Sequence, residues 1–244
     1  MRNMSRIWMV LGLSVSIGVT LLWVTPVRAV SLSNTKIDWD TFLTFSTTTP
    51  VPGAPPLIDY FDFSPPSAGD GEIYSAVFLG TGPAAGQYVY VYQVYHYATS
   101  DSSNFTGLAF KALTTIMPTN IPNVGTSFYI FPDDNDPTTP PIGGTSANAW
   151  GNYKPTEVDY TPNPPFSDIT VSYVLQDKIP QNGVGYFFGF VHPLPPTKVP
   201  SNPKDATPDV LNPLVYTPSP EPSAFVLIGT GLLGLLVIRR RYFA

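Results

Sequence analysis

The chain has 244 residues, no cysteine, and 29 prolines beside 14 tyrosines and 15 phenylalanines. All six arginines lie outside residues 30–219, and that body sets six lysines against 16 acids, so its formal charge is −10 where the whole chain has −5. Such a body cannot neutralise phosphates, which excludes nucleic acid as a partner, and without thiols it forms no disulfide, Cys-ligated zinc site or iron–sulfur cluster.

At the N-terminal end Arg2 and Arg6 precede an uncharged apolar run from Ile7 to Val24. Val27-Arg28-Ala29 then puts small residues at the two positions that a signal peptidase inspects. This pattern predicts a secretory signal peptide over 1–29, helical in its apolar run and cleaved between Ala29 and Val30.

Residues 30–200 read as one all-β domain, an antiparallel β-sandwich of roughly eight strands, from short apolar runs separated by turn signals. The clearest strand is QYVYVYQVYHYAT, 87–99. Large side chains on both of its faces predict a central strand covered on both sides. SAVFLGT, 75–81, ends at Gly80-Thr81-Gly82-Pro83 and pairs with it as a hairpin. Further strands are expected over 105–116, 126–131, 168–175 and 184–191, with a turn at Gln181-Asn182-Gly183. No stretch of the body carries a helical stripe, and 132–166, rich in Pro, Asp, Asn, Thr and Gly, reads as a long loop. Residues 201–219 read as a proline-rich spacer.

Chemistry is sparse. His96 and His192 are the only histidines. No G-x-S-x-G elbow places a serine beside either one. His96, inside an aromatic strand, reads as a packed or hydrogen-bonded core residue, and His192, before Pro193, as a loop residue. No zinc-ligand spacing occurs. Asp133, Asp134 and Asp136 form the one dense acidic cluster; oxygen ligands suit Ca²⁺, though a solvated turn is the plainer reading. Asp38, Asp40, Asp59, Asp62, Glu157 and Asp159 offer carboxylates that the sequence does not pair into a glycosidase site. Trp39, Trp150 and Tyr160 are aromatics that would stack on sugars if exposed. The expectation is a non-catalytic protein with no cofactor, the alternative being a secreted carbohydrate-active hydrolase or a glycan-binding protein.

The last 25 residues are the most informative. GTGLLG, 229–234, fits a dinucleotide turn by spacing, but only ten residues follow and none is acidic, so nothing could hold the ribose. Pro220-Glu221-Pro222 blocks regular structure. Residues 224–238 then carry no charge, and Arg239, Arg240 and Arg241 close the run. As a helix those fifteen residues span about 22 Å, short of the roughly 30 Å hydrocarbon core, so they predict a weak membrane anchor with its arginines in the cytoplasm.

This arrangement over 220–244 resembles the PEP-CTERM sorting signal of Gram-negative bacteria. The resemblance implies processing by an exosortase, a membrane protease/transpeptidase, near Pro220-Glu221-Pro222. Delivery to the cell surface or to an exopolysaccharide-rich extracellular matrix would follow, with exopolysaccharide as a candidate partner. The body, through Tyr88-Val-Tyr-Val-Tyr-Gln-Val94 and Ile179-Pro-x-x-Gly183, also resembles other β-sandwich proteins that carry this tail.

Overall fold

The computed structural model describes residues 28–30, 37–63, 69–100, 104–116, 121, 128–131, 143–145, 151–163, 166–204 and 212–219. These contain fifteen strands, thirteen of them in two antiparallel sheets. In chain order the strands are β1 (Arg28–Val30), β2 (Ser46–Pro50), β3 (Leu57–Phe61), β4 (Gly71–Gly80), β5 (Tyr88–His96), β6 (Asn104–Phe105), β7 (Gly107–Ala112), β8 (Phe128–Phe131), β9 (Glu157–Asn163), β10 (Phe166–Ser172), β11 (Ile179–Pro180), β12 (Gly183–Val184), β13 (Phe187–His192), β14 (Pro196–Lys204) and β15 (Leu214–Pro218). The first sheet runs β1-β9-β10-β7-β14-β15. The second runs β2-β4-β5-β13-β8, with β3 also on β4 and β12 also on β5.

The 87–99 prediction holds. Tyr90, Tyr92 and Val94 point into the core between the sheets, where they meet Leu108, Phe110, Ile169 and Val171 of the first sheet. Val89 and Val91 point the other way, into a second core with Phe42, Phe45 and Phe131. Cross-strand aromatic pairs fix the register: Tyr90 lies opposite Phe190 and Tyr92 opposite Phe188, with ring centroids 5.1 and 5.4 Å apart. Pairs of this kind stabilise a sheet beyond the area that they bury. The 75–81 hairpin with β5 is also present, closing at Leu79 opposite Tyr88. Asn182 takes φ 59° in the turn before β12, where the short polar side chain of asparagine tolerates the left-handed region.

The second core requires a cover that the sequence reading missed. A seven-residue helix, α1 (Trp39–Phe45), buries Phe42 and Phe45 against the outer face of the second sheet. Asp38 caps it, accepting from the Thr41 amide at 2.7 Å. Two turns are too short to display a helical stripe.

The spacer reading is corrected. Residues 196–204 and 214–218 form a hairpin on the first sheet, with Pro196 opposite Pro218 and Lys198 opposite Tyr216. Pro203, Pro208, Pro213 and Pro218 made the stretch from 201 read as a spacer. Residues 196–200 pair with β15 and residues 201–204 with β7, so a proline lacks a donor only where the register leaves a free side. The body therefore reaches at least to Pro218. The expected loop 132–166 likewise contains β9, paired with β10 and β1.

The expected cut after Ala29 falls inside β1, between Ala29 opposite Asp159 and Val30 opposite Val158. Val27 and the apolar run before it, the cluster Asp133, Asp134 and Asp136, Trp150, and all of 220–244 lie outside the described residues. Among the described residues no helix is long and apolar enough to cross a membrane.

Candidate functional site

The structure brings one histidine, one serine and one carboxylate together. His96, at the end of β5, sets its Nε2 2.7 Å from the Ser100 hydroxyl, which donates to Asp70 Oδ1 at 2.6 Å. Asp70 Oδ2 accepts the Phe63 amide at 2.6 Å. His96 Nδ1 faces the Ile179 carbonyl at 3.0 Å; a carbonyl only accepts, so this nitrogen carries a proton. Sequence reasoning found the histidine in its core role but not its partners, because Ser100 and Asp70 approach it only through the β4–β5 register and the turn after β5.

The order of groups differs from that of a nucleophilic triad. There the imidazole stands between hydroxyl and carboxylate and is oriented by the latter. Here the hydroxyl stands in the middle, and the second ring nitrogen is committed to the backbone. His96 and Asp70 are fully buried and Ser100 nearly so. The cluster ties β4, β5 and β11 together at one end of the sandwich.

The other predicted residues scatter. Asp38 is the helix cap, which holds its carboxyl below the usual range through bonds from Thr41. Asp59 accepts the Tyr60 amide and, at 2.8 Å, the Leu214 amide. Asp62 is buried, Asp40 is exposed, and Glu157 and Asp159 flank buried Val158 on β9. Trp39 stacks on Phe42, and Tyr160 donates to the Ile116 carbonyl; both are half-buried. His192 is corrected from a loop residue: it ends β13, is buried, accepts the Leu194 amide at Nδ1 and faces the Thr115 carbonyl at Nε2. Burial holds its pKa below the ordinary value, with the Thr115 contact acting weakly the other way. Among the described residues no three His, Asp or Glu side chains converge on a metal-sized site.

A cleft of about 370 Å³ opens at the opposite end, beside the last hairpin. Tyr88, Tyr216, Lys198, Pro52 and Pro195 line it, and Lys198 Nζ stands 5.6 Å above the Tyr216 ring. Tyr216 is a fastening point: its amide donates to Ser75 Oγ, its hydroxyl to the Pro55 carbonyl, and its own carbonyl accepts from Tyr92. Beyond it the Ser219 amide donates to the Pro195 carbonyl at 3.0 Å. The chain is thus held to the sandwich through residue 219, directly before Pro220-Glu221-Pro222.

No curated protein and no solved structure matches the chain. A family model does match its end, over residues 220–241, the span that begins one residue past this last anchoring contact. The chain carries a PEP-CTERM protein-sorting motif.

Proposed function

We propose that the chain is an exported protein of a Gram-negative bacterium that an exosortase sorts through residues 220–241. The observation that carries this reading is the match of those residues to the sorting motif. Signal peptidase removes residues 1–29, and 224–238 holds the precursor in the inner membrane until the exosortase acts near Pro220-Glu221-Pro222. The body then reaches the cell surface or the extracellular matrix as a non-catalytic component. The buried Asp70–Ser100–His96 chain supports the last point, since its hydroxyl is enclosed and donates to Asp70, and the imidazole Nδ1 faces a backbone carbonyl.

Changing Pro220, Glu221 and Pro222 together to alanine tests the sorting step. The variant should accumulate in the inner membrane; release at the wild-type level would overturn the reading. For the non-catalytic claim, the delivered protein is incubated with cell-envelope glycans, with and without Ca²⁺. Turnover of any of them would restore the hydrolase.

A glycan-binding role is a second reading, favoured by the Tyr88 and Tyr216 cleft with Lys198 at its edge. Retention of the delivered protein on an exopolysaccharide column, lost on Tyr88→Ala, would support it.

A further inference from the structure

Five of the acids among the described residues lie away from the tail. Asp62, Asp70, Glu72, Glu157 and Asp177 all lie towards the end of the sandwich where β5 finishes, at His96. The end where β5 begins, at Tyr88, is built from turns 51–56, 81–87 and 193–197, and none of these contains an acidic or basic residue. Lys198 is the cation beside them, and Asp168, the nearest acid along the first sheet, is paired with Lys111. Leu79 is 44% exposed there. In a body whose formal charge is −10, the end with these uncharged turns is the one from which the tail departs.

The tail is also short. Ser219 is hydrogen-bonded to Pro195, and the uncharged apolar run starts at Ala224. Five residue steps span at most about 18 Å, less than the length of β5 itself, about 26 Å for its eight steps.

We infer that in the membrane-bound precursor the Tyr88 end of the sandwich rests on the phospholipid headgroup layer. The inference depends on the reading of 224–238 as a membrane segment. An uncharged face avoids desolvating carboxylates against lipid. Leu79 and the half-buried Tyr88 suit the interfacial region, where amphipathic aromatics concentrate, and Lys198 can extend its ammonium to a lipid phosphate. The acidic end then points away from the bilayer. The sorting junction is thereby held near headgroup depth by a folded body on a short tether, and the Pro195–Lys198 and Tyr216 cleft is closed off until the tail is cut.

The chain's lack of cysteine makes the test simple. In the precursor without residues 1–29, Ala85→Cys and Thr197→Cys, at the Tyr88 end, and Gln176→Cys, at the other, each carry one fluorophore. They are reconstituted in phosphatidylethanolamine–phosphatidylglycerol vesicles containing a headgroup-nitroxide lipid. Quenching at positions 85 and 197 should exceed that at 176 several-fold, and a 15-residue Gly-Ser insertion between Ser219 and Pro220 should remove most of the difference. Equal quenching at 85 and 176 in protein that floats with the vesicles would overturn the inference while leaving the anchor intact. Failure to float would sink the anchor reading, and the inference with it. Shielding of 85 and 197 from an aqueous quencher without lipid quenching would point to a protein neighbour and also contradict the proposal.

Discussion

The hydroxyl of Tyr92 donates to the carbonyl oxygen of Tyr216 at 2.6 Å, joining the middle of the second sheet to the edge strand of the first across 124 positions of chain. Both residues are buried. This bond, with the Ser75 and Pro55 contacts of Tyr216, closes the sandwich at the strand that leads into the sorting motif.

Tyr92→Phe keeps the ring and its stacking on Phe188 but leaves a buried carbonyl without its donor. Loss of a partner from a buried acceptor costs about 1–3 kcal/mol. Thermal unfolding should show a lower midpoint, and β15 amides should exchange faster with deuterium. An unchanged midpoint would mean that the edge strand is held by the backbone ladder alone.

Tyr173→Phe should do the opposite. Among the described residues its buried hydroxyl has no hydrogen-bond partner, and burial raises its pKa strongly. Removing an unsatisfied polar group from a core that keeps its shape should raise stability by about 1 kcal/mol. Denaturant unfolding checks it; a loss of stability would show that the hydroxyl has a partner in solution.

His192 links stability to pH. The Leu194 amide donates to Nδ1, so the folded state favours the neutral ring, and burial lowers the pKa from its ordinary value near 6.5. Below that value the unfolded chain takes up a proton before the folded one does. The stabilisation is therefore full above pH 6.5 and is lost as pH falls through the lowered folded value. Unfolding free energies measured from pH 7.5 to 5 should fall for the wild type and stay flatter for His192→Asn. Parallel curves would refute the assignment.

Sequence reading succeeded where one face or both were uniformly apolar. The alternation Tyr90-Val91-Tyr92 set the central strand, its two-sided cover and its hairpin with β4. It failed where local chemistry opposed the final structure. Residues 201–219 read as linker because of Pro203, Pro208, Pro213 and Pro218, yet 201–204 and 214–218 lie in β14 and β15. In β9, Val158 was masked by the polar stretch around it. Helix α1 rests on the Asp38 cap and on two phenylalanines that only tertiary contact can bury. The Asp70–Ser100–His96 chain was invisible because no spacing rule joins residues 26 and 30 apart through a hairpin register. The sorting motif over 220–241 was legible, since such a motif is read as sequence.

The central claim is that this body is delivered after two cuts, one near Ala29 within the short edge strand β1 and one just beyond Ser219. Intact-mass analysis of the protein recovered from the cell surface or medium tests it most directly. The account predicts a single species that begins at or near Val30 and ends near Pro220-Glu221-Pro222, without 224–238 and its arginines. A surface species that still carries Arg239, Arg240 and Arg241 would contradict it.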